Sequence, residues 1–492
     1  MSGVCSGAAL LAPAAWAQST GDTVTTAQGQ LAGVKEEGFR IFKGVPFAQP
    51  PVGRLRFKPP VEHAGWTGVR PALKFQPKPL QTETQEGGPM VGSEDCLYLN
   101  VWAPAAPGPH PVVVWLYGGG NIAGDGSDPR WDGRKYARHG LVCVTLNYRV
   151  GTMGCLELGD VLGSEYRGSA ANGLRDVVAA LRWVKQNIAA FGGDPARVTL
   201  WGQSAGAKNV CNVLATPESK GLIEAAISES GGSQTVHTLD TANGIAEIFL
   251  ASAGLDRRNA SQLLTMPPEG LMKAQEQLGL RYTARYPWRS VIDGKFQPGR
   301  PLDSIAQGSA DGVRLLIGSN HYESSGAFEG VGTEPLKQNE IAHMTVAEAE
   351  AVRAKYNATF KDKSALENRI LMVSTEEYGH STWQTAMAHA RASRAKPTYL
   401  YRIDWSGPNK AQFGARHGVE LSSVWDRPNT PPMGQQIHAA WASFMLGHAP
   451  TAQGWPEWPV LNPSTPRMMS IDDGKTTPMA VPAEEWAIWG DV

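Results

Sequence analysis

A serine between two glycines, directly after a short apolar run, is the strongest chemical signal in this chain. The run Arg197 to Trp201 has the composition of a buried strand and leads into Gly202-Gln203-Ser204-Ala205-Gly206. In such a turn between strand and helix the serine hydroxyl projects above the sheet, and the glycines avoid collisions between the two elements. The pattern predicts a nucleophile for acyl transfer at Ser204, followed by a helix whose N-terminal dipole favours developing negative charge.

A second signal is the glycine run Gly118-Gly119-Gly120, which follows another apolar stretch, Pro111 to Tyr117. Acyl transfer passes through an oxyanion that requires preorganised N–H donors. The amides of Gly119 and Gly120, together with that of Ala205, are predicted to form such an oxyanion hole. An ordinary flexible loop and a phosphate-binding loop are the alternatives, but no Gly-Lys-Ser/Thr follows as a phosphate loop would require.

A serine nucleophile requires a histidine base and a carboxylate that orients the histidine. After a turn of this kind, the acid and then the histidine follow the serine along the chain. Of eleven histidines, His417 lies in a glycine-containing loop after a predicted strand. Glu323 lies just past the apolar run Arg314 to Ile317, and Asp293 is the rival acid, although Asp-Gly more often marks a turn. Spacing alone leaves the acid and the base open.

Short apolar runs alternate with longer helical patterns along the chain, which predicts a mostly parallel sheet covered by helices, an α/β fold. Two mainly helical stretches, 243–281 and 342–395, interrupt the alternation and are expected above the strand ends, where ligand pockets form. A single domain over residues 18–492 is predicted. The predicted strands are 111–117, 141–148, 197–201, 225–227, 314–317 and 398–405, and the clearest helices are 172–190 and 437–446.

Composition excludes several other classes of protein. The 492 residues carry a formal net charge of -1 and only 18% charged residues. This balance gives no basic surface for nucleic acid, and no apolar run is long enough to span a membrane. Residues 1–17 end in Ala15-Trp16-Ala17, a pattern typical of a signal-peptide cleavage site, although a basic residue at the start is missing. The expected location is therefore the periplasm or the exterior, with an ordinary flexible terminus as the alternative interpretation of this segment.

Four further segments, 42–57, 93–101, 146–149 and 187–195, extend the pattern beyond these single motifs. With them, the chain resembles the type-B carboxylesterases, a family that includes cholinesterases and bacterial para-nitrobenzyl esterases, with a fumonisin-esterase-like member as one candidate. The resemblance implies an α/β-hydrolase fold and no cofactor or metal. It also implies site roles: nucleophile Ser204, acid Glu323, base His417, oxyanion donors Gly119, Gly120 and Ala205, and a supporting serine, Ser230.

Three positions depart from the family pattern. Residue 203 is Gln where the family usually has Glu, and we expect the change to be tolerated because the side chain is predicted to face away from the reaction. The usual partner of Cys96 is missing, so the family disulfide is expected to be absent. Cys155 replaces an aromatic residue, which predicts a reshaped core below the pocket.

The implied activity is hydrolysis of a small-molecule ester, and the substrate is suggested by an unusual run of arginines. Arginines recur every four residues from Arg281, and by resemblance this stretch lies at the wall of the acyl pocket. Because arginine suits carboxylate binding, the acyl group is hypothesised to carry free carboxylates, as in the tricarballylate esters of fumonisins. The alternative is that these side chains face solvent. The predicted binding residues are Lys208, Arg285, Trp288 and Arg289.

A different class of function has also to be weighed, because some cholinesterase-like domains are non-catalytic adhesion proteins. Such domains typically lack the nucleophile or the base, whereas this chain has a candidate for each member of the triad and for the glycine loop. Because residue roles rather than fold decide function, the sequence favours an enzyme.

Overall fold

One large twisted sheet forms the centre of the computed structural model, which describes residues 20–84, 87–328, 332–392, 394, 396–408 and 413–490. The strands of the described residues are β1 (Thr20–Thr26), β2 (Gly29–Glu36), β3 (Phe39–Pro46), β4 (Val69–Pro71), β5 (Gln81–Thr84), β6 (Gly87–Val91), β7 (Tyr98–Pro104), β8 (His110–Leu116), β9 (Val142–Leu146), β10 (Gly193–Gln203), β11 (Ala225–Glu229), β12 (Val236–His237), β13 (Ser290–Val291), β14 (Arg314–Asn320), β15 (Thr398–Ile403), β16 (Arg467–Ile471) and β17 (Thr477–Ala480).

The strand order of this sheet is β1-β2-β3-β7-β9-β8-β10-β11-β14-β15-β16-β17, with β4 paired to β2. The run from β9 to β16 is parallel throughout, and antiparallel strands flank it on both sides. Because the strands of a parallel run all end at the same edge of the sheet, the residues that follow β8, β10, β14 and β15 can meet there. All of the candidate catalytic residues follow one of these four strands.

Helices cover both faces and the edge of the sheet where the parallel strands end. The α-helices of the described residues are α1 (Arg134–Ala137), α2 (Gly151–Cys155), α3 (Gly159–Leu162), α4 (Asn172–Asn187), α5 (Ala205–Ala215), α6 (Leu239–Ser252), α7 (Pro268–Arg281), α8 (Pro301–Ala306), α9 (Val346–Thr359), α10 (Ala365–Ser374), α11 (His380–Arg391), α12 (Leu421–Val424), α13 (Pro432–Met445) and α14 (Ala483–Trp489). One turn of π-helix, Thr375–Gly379, joins α10 to α11.

The predicted α/β fold is confirmed, and each of the six predicted strands is present with bounds that differ by a few residues. The central strands are apolar because helices cover both of their faces, and every residue of β9 is buried. Helix α4 buries a stripe at helical spacing that includes Leu174, Val178 and Leu181. Burying one such side chain contributes about 1.5–3 kcal/mol, so the stripe fixes the helix against the sheet.

Several other sequence predictions concern the chain as a whole. The predicted signal peptide, residues 1–17, lies outside the described residues. Within the described ranges, no helix has both the length and the apolar character needed to cross a membrane. The thiols of Cys96, Cys143, Cys155 and Cys211 are free and buried. Cys155 belongs to the same buried hydrophobic cluster as Trp288.

Candidate active site

Ser204 occupies the sharp turn that the motif predicts. It follows the last residue of β10 and precedes α5, with φ 57° and ψ -123°, a strained combination for a residue with a side chain. Its N–H donates to the carbonyl of Glu229 on the neighbouring strand at 2.8 Å, and its carbonyl accepts from the N–H of Lys208 at 3.0 Å. Both bonds hold the strained turn in place.

The flanking glycines are required by close contacts on either side of the turn. A Cβ on Gly202 would lie 2.6 Å from the backbone carbon of Gly206, and one on Gly206 would collide with the carbonyl oxygen of Leu116. Across the turn, a Cβ on Gly118 would lie 3.0 Å from Cβ of Ser204. The glycine run and the serine turn therefore approach each other as closely as backbone allows.

The predicted oxyanion donors lie beside the serine. Gly119 and Gly120 have φ of 105° and 64°, which side chains rarely adopt. Both glycines line the same cavity as Ser204 and Ala205. Ala205 is the first residue of α5, and the first amides of a helix have no partner within it. The structure thus brings all three predicted donors to the serine.

His417 and Glu323 form a hydrogen-bonded pair. Nδ1 of His417 lies 2.6 Å from Oε2 of Glu323, while Oε1 of the same carboxylate accepts the N–H of Asn320 at 2.7 Å. The carboxylate is fully buried, and the imidazole keeps about a third of its surface open toward the cavity. Because the carboxylate accepts the Nδ1 proton, Nε2 is left as the acceptor that faces the cavity.

The loop that carries His417 is fastened to the end of β14. The N–H of His417 donates to the carbonyl of Glu323 at 3.0 Å, and the side-chain amide of Asn320 donates to the carboxylate of Glu420 at 2.7 Å. The ring of Tyr378 stacks on the imidazole with centroids 4.7 Å apart. These contacts hold the base above the sheet although it lies far along the chain from the serine.

The pKa of His417 is set by opposing effects. Burial lowers it, but the negative charge of Glu323 and the hydrogen bond to that residue raise it, with smaller contributions from Glu420 and Glu377. The net result is a pKa above the ordinary value for histidine. The neighbouring carboxylates therefore favour the imidazolium that a general base forms when it takes a proton.

A cavity of about 610 Å³ opens above Ser204. This volume suits a small-molecule ligand. The catalytic candidates in its wall are Ser204 and His417, and neither Glu323 nor Ser230 lines it. Among the described residues, no hydrogen bond joins Nε2 of His417 to the Ser204 hydroxyl. Nε2 pairs instead with the side-chain amide of Gln203 at 3.3 Å.

That contact corrects the prediction for Gln203. Its side chain was expected to face away from the reaction, but it lines the cavity and touches the base. The side chain is at the end of β10, directly before the nucleophile, and its head lies against the glycine loop at Gly118. Gln203 therefore contacts the reacting groups.

The predicted cationic residues lie together at one end of the cavity. Lys208 and Arg289 are 6% and 7% exposed, and both line the cavity wall, as does Trp288. Arg285 stands behind them and pairs with the buried carboxylate of Glu377 at 2.9 Å, while Lys208 lies 3.6 Å from the same carboxylate. The alternative that the arginines face solvent holds for Arg281, which is exposed, but not for Arg289, which is buried, or for Arg285, which is mostly buried.

Two further residues of this cluster, Glu377 and Tyr286, are not indicated as site residues by any sequence pattern. Glu377 is fully buried on the π-helical turn, and the hydroxyl of Tyr286 donates to its Oε1 at 2.7 Å. Burial raises the pKa of Glu377, but Arg285 and Lys208 outweigh it and hold the pKa at about 2, so the carboxylate is charged. The Tyr286 ring faces Lys208 and Arg285 at 5.3 and 4.8 Å. In sequence, Glu377 resembles any polar residue of a surface helix.

The charges in this end of the cavity do not balance. Three cations meet the charged Glu377, and the other nearby carboxyl, Glu376, has a pKa raised by burial to about 7. His343 stays neutral because burial, aided by Arg289 and Lys208, lowers its pKa to about 3. Burial, together with Arg289 and Arg285, lowers the pKa of Lys208, and Asp125 and Asp128 also line the cavity. At this end of the cavity the two arginines still outnumber the charged Glu377, which gives a local excess of positive charge.

The remaining candidates lie outside the cavity wall. Ser230 is buried at φ 57°, and its hydroxyl has no hydrogen-bond partner among the described residues. Its N–H donates to the carbonyl of Gly318 at 2.8 Å. Asp293, the rival acid, is paired with Arg175 at 2.7 Å and accepts backbone N–H groups of its own turn. The carboxylate in contact with His417 is thus Glu323.

Both the sequence and the fold are similar to those of known carboxylesterases. A sequence model described as the carboxylesterase family matches residues 20–489. The para-nitrobenzyl esterase of Bacillus subtilis (strain 168) is 34% identical over 478 residues, which cover 92% of this chain and 95% of that protein. The fumonisin B1 esterase of Sphingopyxis macrogoltabida is 32% identical over 470 residues, covering 88% and 83%. A solved carboxylesterase of Geobacillus stearothermophilus matches with a TM-score of 0.83 at 32% identity, covering 95% of this chain and 99% of that one.

Proposed function

The chain belongs to the carboxylesterase family, and on that premise we propose that it hydrolyses esters through a covalent acyl-enzyme formed on Ser204, with His417 as base and Glu323 as the residue that orients it. The observation that carries the proposal is the 2.6 Å bond between His417 and Glu323 at the wall of the cavity that exposes Ser204. Such a hydrogen-bonded pair near a strained serine is expected of a catalytic site and not of a non-catalytic binding domain.

In the proposed first step, the Ser204 hydroxyl attacks the ester carbonyl while Nε2 of His417 takes its proton. Nε2 must exchange its contact with Gln203 for one with the hydroxyl, and catalytic hydrogen bonds often tighten in this way only when substrate is bound. The developing oxyanion accepts hydrogen bonds from the amides of Gly119, Gly120 and Ala205. Glu323 stabilises the imidazolium.

In the second half of the reaction, the imidazolium returns its proton to the leaving alcohol. A water molecule then enters, His417 takes one of its protons, and the resulting hydroxide equivalent attacks the acyl carbonyl. Collapse of the second oxyanion breaks the bond between the acyl carbon and the Ser204 oxygen and releases the carboxylic acid. The imidazolium of His417 returns its proton to that oxygen, which restores the Ser204 hydroxyl. The same three amides serve both oxyanions.

For the substrate, the proposal is an ester whose acyl group carries one or more free carboxylates. Lys208 and Arg289 support it, because both cations are buried and line the cavity that holds Ser204. A buried cation without a full partner is costly, and a carboxylate of the substrate would supply that partner. Polycarboxylate esters of the tricarballylate type, as in fumonisins, belong to this class, and the fumonisin B1 esterase is among the relatives.

A matched pair of esters tests the substrate proposal. One ester is 4-nitrophenyl hemiglutarate, whose acyl group ends in a carboxylate, and the other is 4-nitrophenyl methyl glutarate, in which that carboxylate is a methyl ester. The value of kcat/KM is expected to be at least about tenfold higher for the hemiglutarate, because each charge-assisted hydrogen bond contributes about 1.5–3 kcal/mol. Release of 4-nitrophenol measures both rates. Equal rates, or faster hydrolysis of the neutral ester, would contradict the preference for anionic acyl groups and leave the esterase mechanism untouched.

A further inference from the structure

The side chain at position 203 lies where it can select substrates by charge. We propose that Gln203 is a specificity-determining residue, whose uncharged amide keeps the wall beside Ser204 and His417 free of negative charge and so admits esters with anionic acyl groups. The inference rests on the proposed function and extends it to a residue that has no part in the triad.

The position of the amide supports this role. Gln203 is 4% exposed, lines the cavity, and places Nε2 3.3 Å from Nε2 of His417. Its Oε1 lies 2.9 Å from where a Cβ on Gly118 would stand, so the head of the side chain is held between the glycine loop and the base. A carboxylate built on the same atoms would lie at the same distances from the imidazole.

The charged groups around Ser204 and His417 explain why the charge of residue 203 would affect the binding of an anionic ester. Three carboxyl groups act on His417: Glu323 on the segment after β14, Glu420 on its own loop and Glu377 on the π-helical turn. The phenol of Tyr378 stacks on the ring, and Lys208 projects from α5 into the same cavity. A negative charge at position 203 would be added to this set on the substrate side. It would repel an anionic acyl group and weaken the attraction of Lys208 and Arg289.

The substitution Gln203→Glu changes the charge and almost nothing else, and Gln203→Met is its uncharged control, which removes the contact with His417. With Gln203→Glu, the ratio of kcat/KM for the hemiglutarate to that for the methyl glutarate ester is expected to fall at least about tenfold. With Gln203→Met, the ratio is expected to stay within about twofold of that of the wild type, because no charge is added. The ratio of kcat/KM for the two esters can be measured in each variant whether or not the wild-type enzyme prefers the anionic ester.

The pH profile gives a second readout that a structural role would not move. A carboxylate within about 4–6 Å raises the pKa of the imidazolium by about 1–3 units. Because only the neutral imidazole acts as base, the acid limb of kcat/KM is expected to move to higher pH in Gln203→Glu, by at least about 1 unit. It is expected to move much less in Gln203→Met, which removes one hydrogen bond to the neutral imidazole but adds no charge.

The two readouts together decide the inference. A shifted acid limb with an unchanged ester ratio would overturn the specificity role, and so would equal losses on both esters with no shift. If Gln203→Glu does not fold, Gln203→Asp carries the same charge on a shorter side chain and is judged by the same ratio. Failure of the proposed function itself would be seen separately, as ester hydrolysis that survives the loss of Ser204.

Discussion

Replacing Ser204 with alanine is expected to lower kcat for 4-nitrophenyl ester hydrolysis by about 10⁴- to 10⁶-fold, since the variant can form no acyl-enzyme. The amides of Gly119, Gly120 and Ala205 stay in place, so a small residual rate over water is expected from the oxyanion hole alone. Steady-state release of 4-nitrophenol at high enzyme concentration measures the loss.

The fold of this variant is expected to be unchanged. The turn is held by backbone hydrogen bonds to Glu229 and Lys208, which alanine preserves. A matched control is Ser252→Ala on α6, away from the cavity, which is expected to keep kcat within about twofold of wild type because its hydroxyl bonds only to its own helix. If Ser204→Ala retained more than about a tenth of the wild-type rate, another nucleophile would have to be sought.

The second large effect is expected at Arg289. Replacement by methionine should lower kcat/KM for the hemiglutarate ester by about 100-fold, because truncating one partner of a buried charge pair costs about 2–5 kcal/mol. The methyl glutarate ester should lose less than about tenfold, because it makes no ion pair in this end of the cavity. The comparison of the two esters separates loss of charge recognition from general damage to the site.

Arg289 is a cleaner choice than the other cations of this cluster. Its guanidinium donates to the carbonyl of Ala342, whereas Lys208 and Arg285 also pair with the buried carboxylate of Glu377. Removing either of those two would leave that carboxylate poorly compensated. The control is Arg258→Met, whose side chain is 90% exposed and should affect neither ester. Equal losses on the charged and the neutral ester would contradict a carboxylate-binding role for Arg289.

Local signals in the sequence were sufficient for the nucleophile and its surroundings. A strand, a Gly-x-Ser-x-Gly turn and a helix follow one another without interruption, so the turn at Ser204 could be predicted from neighbouring residues alone. Lys208 lies four residues after Ser204, one turn into α5, so the helix that follows the serine carries it to the same cavity. Such short-range geometry depends little on the rest of the fold.

The base and the acid required more information than spacing supplies. Glu323 and His417 lie 94 positions apart, and their contact depends on hydrogen bonds between the loop of residues 413–420 and the end of β14. Only the resemblance to a known family singled them out from other carboxylates and histidines. Long-range contacts of this kind follow from the strand order of the whole sheet, which no local pattern encodes.

Tertiary packing sets the features that no sequence pattern indicates. Tyr378 lines the cavity, and Glu377 pairs with the cations behind its wall, from a π-helical turn between α10 and α11. An α-helical pattern through residues 365–391 gives no indication of that turn. The contact of Gln203 with His417 likewise depends on a loop more than 200 positions later in the chain, which no local pattern indicates.

Covalent labelling with a fluorophosphonate probes the nucleophile itself, because the reagent requires a serine that an adjacent base activates. We expect one adduct per chain by intact-mass measurement, located on Ser204 by peptide mapping, and a labelling rate at least about 1,000-fold slower in His417→Ala. An adduct on another residue would contradict the convergence of Ser204, His417 and Glu323 into one catalytic site. So would labelling of Ser204 that is equally fast without the imidazole.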